Sequence, residues 1–225
     1  MKSFIRNLSV PAEFCLVILL SFGVWIYGSI RVMAAHLMQV APPLAQFSNG
    51  ELFFGIVVYE IVILAILFWI GRIRGWSFAT FGLRVSWKLT GAGFLLLFVT
   101  FVALVIVAVV ANTIHPAGTS PKLNGGVTWF FVIPVLIINP FFEELLETGY
   151  FIHRLQRYGM WPAVLTTALF RGGLHAYLGF NGALSLFGMG LIFGLVYWKW
   201  RQLWPLIIAH SLGDLIFLLP IIRAA

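Results

Sequence analysis

Apolar residues run through this chain in long blocks, and charge collects between the blocks. No charge interrupts residues 89–114, and residues 123–142 form a run of 20 uncharged positions. About 20 apolar residues span a bilayer as a helix. The blocks are continuous and lack the two-residue alternation of barrel strands. The pattern predicts an all-α, polytopic transmembrane helical bundle with about seven spanning helices, over residues 13–33, 51–71, 91–112, 127–150, 161–179, 183–200 and 203–222. Residues 34–50 and 113–126 read as loops, marked by Pro42-Pro43, Pro116 and Asn124-Gly125-Gly126. Gly179 to Gly182 reads as a tight turn. The chain reads as a single membrane domain, 1–225, with no soluble domain, internal repeat or low-complexity segment.

Composition agrees. The chain is 61% hydrophobic and 9% charged, with a mean hydropathy of +1.02; a soluble domain carries about a quarter charged residues. The net charge of +7 does not mark a nucleic-acid partner, because the basic residues are spread among the loops. They act there as topology signals. With the N-terminus placed in the cytoplasm, ten basic residues fall on that side: Lys2, Arg6, Arg72, Arg74, Arg84, Lys88, Arg154, Arg157, Lys199 and Arg201. Arg31, Lys122 and Arg223 fall on the other, with Arg171 inside a helix. This bias predicts a multi-pass protein of the cell membrane, a bacterial inner membrane, with the N-terminus cytoplasmic. Residues 14–30 are too long for a usual signal-peptide core, so a retained first helix is expected. Cys15 stands alone and reads as a small hydrophobe. The linker 72–90 reads either as an interfacial segment or as an ordinary basic loop. Gly190 and Gly194 form a GxxxG pair, expected to pack within the bundle rather than across a dimer.

Against this background the polar residues stand out. Glu143 and Glu144 close the run 123–142, and Glu147 follows one turn later. Arg171 and His175 are spaced i,i+4, as are His210 and Asp214, so each pair shares one stripe of its helix. Counting about 1.5 Å per residue from the cytoplasmic edges near His153, Trp161 and Trp204 puts Glu143 about 15 Å, His175 about 21 Å and His210 about 9 Å deep. One convergent site follows. Ionisable groups at membrane depth are costly and default to function. Two glutamates with a histidine suit activation of water by a general base, and a second histidine suits an oxyanion. Equally, Glu143, His175 and His210 form a candidate ligand set for a divalent metal such as zinc, although the HExxH spacing is absent. Both readings give hydrolysis inside the membrane. Glu60 reads as a packing or pairing residue, and His36, His115 and His153 as solvated residues of loops or helix ends.

The segments EELLETGYFIHRL, ALFRGGLHAYLGF and LWPLIIAHSLGD together resemble the three motifs of the CPBP family, also called Abi. Its members include type II CAAX prenyl proteases and bacteriocin-processing or immunity proteins. The resemblance covers residues 130–222, a CPBP-like catalytic core, and extends to the Gly-Leu-Arg at 82–84. It implies an intramembrane endopeptidase, metallo- or glutamate-type, acting on membrane-associated or lipidated peptide or protein substrates among membrane lipids. It implies catalytic roles for Glu143 as base, Glu144 as its partner, His175 in placing water or metal, and His210 with Asp214 in oxyanion stabilisation or metal ligation.

Two positions depart from the family pattern. Thr148 stands where an Arg is expected, and Arg171 is the candidate to supply the missing cation, with Glu147 as a supporting residue. Asp214 stands in place of Asn; an ionised Asp donates no hydrogen bond, which favours a role orienting His210. Two other classes follow from the same residues: a catalytically silent membrane scaffold or bacteriocin-immunity protein, and a proton-coupled transporter, the latter disfavoured by the missing repeats.

Overall fold

The computed structural model describes residues 2–38, 40, 48–114 and 127–223, and among these every regular element is helical. Most of the predicted loops 34–50 and 113–126, with His115 and Lys122, lies outside the described residues, as does the side chain of His36. The elements are α1 (Lys2–Asn7), α2 (Val10–Leu37), α3 (Glu51–Arg74), α4 (Trp87–Ile114), α5 (Trp129–Tyr158), α6 (Met160–Leu174), α7 (Gly179–Trp200) and α8 (Trp204–Arg223). The protein is a multi-pass helical membrane bundle.

All seven predicted rods are present, but five are long and apolar enough to cross a membrane: α2, α3, α4, α5 and the segment Ala176–Trp200. In α8 the apolar stretch Trp204–Leu219 is shorter. Helix α6 has 15 residues, about 22 Å, short of the ~30 Å hydrocarbon core. It ends at Leu174 rather than near 179, because His175 leaves helical geometry (φ −95°, ψ 15°). A 3-10 turn, Ala176–Leu178, then leads into α7 through Gly179 at φ +78°.

Helix α6 tolerates its shortness because protein surrounds it. Ala163, Val164, Thr167, Ala168, Arg171, Gly172 and Leu174 are all buried. Its main neighbour is α7, where Gly190 and Gly194 admit close approach. A Cβ at Gly190 would stand 2.8 Å from the Ala168 Cα, and one at Gly194 would stand 3.0 Å from Val164 Cγ1. The GxxxG pair is thus spent inside the bundle.

Helix α5 is composite. Trp129–Glu143 is α-helical, Glu144–Tyr150 is a π-helix, and Phe151–Leu155 returns to α. Pro140 has no N–H to give the preceding turn. A π segment, with i→i+5 bonding, widens the backbone locally and recurs at functional sites. Here all seven of its residues are buried.

The linker after α3 is tied to the bundle. Ser77 caps a 3-10 turn, Phe78–Phe81, in a reciprocal box with Thr80. The Tyr197 hydroxyl donates to the Phe81 carbonyl at 3.1 Å, and the Leu203 N–H donates to the Gly82 carbonyl at 3.3 Å. His153, half-buried, sets its ring against Phe81 at 5.7 Å rather than in solvent.

A buried acid that the sequence reading passed over fastens the N-terminal end. Glu13 is 0% exposed; it pairs with Arg74 at 2.6 Å and with Arg154, and accepts from the Tyr150 hydroxyl at 2.9 Å. These contacts gather the basic ends of α3 and α5 around the start of α2.

Gly82 combines φ +68° with a Cβ position only 1.8 Å from the Arg201 carbonyl oxygen. Gly82→Ala is therefore expected to lower the unfolding temperature in detergent by about 5 °C. Gly91→Ala, with nothing within 4 Å of its Cβ, serves as the control and leaves that temperature unchanged or higher.

Candidate active site

Arg171 lies at the centre of the polar cluster. Its side chain is fully buried, and burying an ion costs several kcal/mol unless it is well paired. Three carboxylates surround it. Nη2 reaches Glu144 Oε1 at 2.6 Å, Nε lies 2.9 Å from Glu147 Oε2, and Nη1 lies 3.7 Å from Glu143 Oε2. The π-helical turn of α5 presents Glu144 and Glu147 to this one guanidinium, and Glu143 stands at the end of the α-helical stretch before it. Thr148, where the resemblance led to an expected Arg, donates its hydroxyl to Glu144 Oε2 at 2.7 Å.

The two adjacent glutamates have different surroundings. Glu144 is 0% exposed and accepts bonds from Arg171, Thr148 and His210, the last at 2.8 Å from Nδ1. Both of its oxygens are engaged. Glu143 is 14% exposed on its side chain. One oxygen, Oε1, accepts from Asn139 Nδ2 at 3.1 Å. The other, Oε2, receives no protein hydrogen bond among the described residues; Arg171 Nη1 and His210 Nε2 stand off at 3.7 and 3.8 Å.

Each histidine has one nitrogen accounted for. His175 Nδ1 lies 2.9 Å from the Arg171 carbonyl. A carbonyl only accepts, so the proton sits on Nδ1 and Nε2 is left as an acceptor. His210 Nδ1 likewise donates to Glu144, and its Nε2 lies 3.5 Å from Asp214 Oδ1.

A cavity of about 330 Å³ opens beside this cluster. Its polar wall is Glu60, Asn139, Glu143, His175, His210 and Asp214; the remaining wall is mostly apolar, with Phe22, Trp25, Leu97 and Leu104 among its residues. Glu143 is thus the member of the pair that meets the cavity, while Glu144, Glu147 and Arg171 form a fully buried layer around it.

Among the described residues no group of three or more His, Cys, Asp or Glu side chains is arranged to hold a metal ion. Glu143, His175 and His210 all border the cavity, but Glu143 already lies beside a guanidinium that carries the positive charge.

Two residues of the polar wall were not assigned to the site from sequence. Glu60 pairs, accepting from Asn139 at 2.8 Å, and the two border the cavity. Asn139 carried a legible signal: it precedes Glu143 by four residues and so shares its helix face.

A multi-pass helical protein with buried acids, histidines and a guanidinium around an intramembrane cavity is the class that these features define. Residues 125–216 match the family model described as type II CAAX prenyl endopeptidase Rce1-like, in agreement with the CPBP/CAAX resemblance of the three motifs. At the family level the match supports an intramembrane protease, a hydrolase. No curated protein and no solved structure matches the chain.

Removing the guanidinium leaves three buried carboxylates facing one another. Arg171→Met is expected to cost about 3–5 kcal/mol of stability, read as a fall in unfolding temperature. Adding Thr148→Arg to that variant returns a cation next to Glu144, and part of the loss is recovered. A double variant no more stable than Arg171→Met would show that a cation at position 148 does not replace the one at position 171.

Proposed function

We propose that the protein is an intramembrane endopeptidase that hydrolyses a peptide bond of a membrane-associated or lipidated substrate with water activated by Glu143. The observation that carries this reading is the asymmetry of the glutamate pair. Both oxygens of Glu144 are held, by three donors in all, whereas Glu143 borders the cavity and keeps one oxygen, Oε2, that no protein group among the described residues bonds. A general base has to keep such a lone pair for the proton it removes.

In this mechanism a water sits between Glu143 and His175. Glu143 accepts one of its protons, and His175 Nε2, free because Nδ1 holds the Arg171 carbonyl, accepts a hydrogen bond from the other. The water oxygen attacks the scissile carbonyl, whose π electrons move to the oxygen. His210, when it carries both protons, directs its Nε2–H toward that oxyanion, with Glu144 and Asp214 orienting the ring. Glu143 then passes its proton to the leaving amine as the C–N bond breaks. Arg171, Thr148 and His210 hold Glu144 by hydrogen bonds, so that it does not take a proton in place of the base.

A divalent metal held by Glu143, His175 and His210 would instead polarise the carbonyl or the water. The guanidinium beside Glu143 supports the glutamate-type reading over it. Thr148, which first suggested a silent scaffold or immunity protein, bonds Glu144, and Arg171 supplies the cation. Both contacts favour a working site. The clustering of Arg74, Arg154 and Arg201 at one end of the bundle supports a cell-membrane protein with that end and the N-terminus cytoplasmic.

The test is cleavage of a fluorescence-quenched, prenylated CAAX peptide by purified protein in liposomes. Glu143→Gln and His175→Ala are each expected to lower kcat by about 100-fold or more. Undiminished cleavage by Glu143→Gln would remove Glu143 from the chemistry. EDTA is expected to leave the rate within about twofold of its untreated value; a loss restored by added zinc would assign the metal mechanism instead.

A further inference from the structure

Glu60 is a buried acid that the hydrolysis described above does not use. It projects from the middle of α3 and is 1% exposed. Its neighbours in α3 are apolar, and a leucine would pack there without placing an ionisable group at membrane depth. What Glu60 does have, among the described residues, is one specific hydrogen bond. Asn139 Nδ2 donates to Glu60 Oε1 at 2.8 Å and to Glu143 Oε1 at 3.1 Å.

An amide nitrogen carries two N–H groups, so Asn139 gives one to each carboxylate. The consequence for Glu143 is directional. With Oε1 held by Asn139, Oε2 is the oxygen turned toward Arg171 Nη1 and His210 Nε2. The consequence for Asn139 is rotational. Flipping its amide would aim Oδ1 at two acceptors, and Glu60 makes that flip unfavourable. Helix α3 thereby fixes the orientation of an asparagine on α5, and the asparagine fixes the base.

We propose that Glu60, acting through Asn139, is a positioning residue that aligns the Glu143 carboxylate for attack. It touches neither water nor substrate in this role. The proposal rests on the reading of Glu143 as the base and adds a device that holds it.

The test compares Glu60→Gln, which keeps an oxygen to accept from Asn139, with Glu60→Leu, which does not, using the prenylated CAAX peptide in liposomes. Glu60→Leu is expected to lower kcat about tenfold or more with KM within about twofold, while Glu60→Gln keeps at least about half of the wild-type kcat. A space-filling role predicts neither the split between kcat and KM nor the rescue by Gln. In the Glu143→Gln background, Glu60→Leu causes no further loss. If Glu60→Leu does not fold, Asn139→Ala carries the same expectation.

An activity-free readout accompanies it. The infrared carboxylate band lost in Glu143→Gln is expected to shift in Glu60→Leu or Asn139→Ala and to stay in place in Glu60→Gln. Wild-type kcat in Glu60→Leu, an equal loss in Glu60→Gln, or an unmoved band overturns the positioning role. When Glu143→Gln is inactive in the same assay, such a result overturns this role alone. Full activity of Glu143→Gln overturns the base and the positioning role together.

Discussion

The buried guanidinium of Arg171 is the contact on which the rest of this site depends. Three glutamates within one turn and a half of a membrane helix would repel one another and would each lose the solvation of water. One planar cation with several donors, placed among all three, makes the grouping tolerable. Its position is prepared by features that look unrelated in sequence. Glycines on α7 let α6 approach closely enough to bury the Arg171 stem, and the π-helical turn of α5 turns Glu144 and Glu147 toward it.

The same arrangement divides the labour within the pair. Glu144 is the structural partner: paired with Arg171, bonded by Thr148, and holding the ring of His210. Glu143, one residue earlier, stands at the cavity with a weaker link to the cation. Adjacent carboxylates on a helix point in different directions, and here one direction leads into the buried layer and the other into open space. A strong ion pair on Glu144 and an underused oxygen on Glu143 are two outcomes of one packing arrangement.

Much of the site was legible in the sequence because charge is scarce in it. With so few acids and histidines, an i,i+4 pair such as Arg171 and His175 or His210 and Asp214 stands out against apolar surroundings. The substitution of Thr148 for Arg pointed to Arg171 for a physical reason: a cation is needed somewhere beside the acids. Other parts were hidden. Glu13 and Glu60 have no polar partner one turn away in their own helices, and their partners Arg154 and Asn139 lie far along the chain, so spacing along one helix reveals neither. The length of α6 was overestimated because hydropathy continues past Leu174, whereas the helix stops where the backbone turns at His175. Helix count and order were readable from hydrophobic runs, but whether a rod spans lipid or is sheltered by protein depends on neighbours.

The most direct measurement is an experimental structure of the Glu143→Gln variant with a prenylated CAAX peptide bound. The scissile carbonyl carbon is expected within about 4 Å of the position 143 side chain, directly or across one water, with Arg171 still paired to Glu144 and Glu147. A peptide bound away from residue 143, or a guanidinium turned from the acids toward the substrate, would contradict the division between a buried structural glutamate and a cavity-facing base.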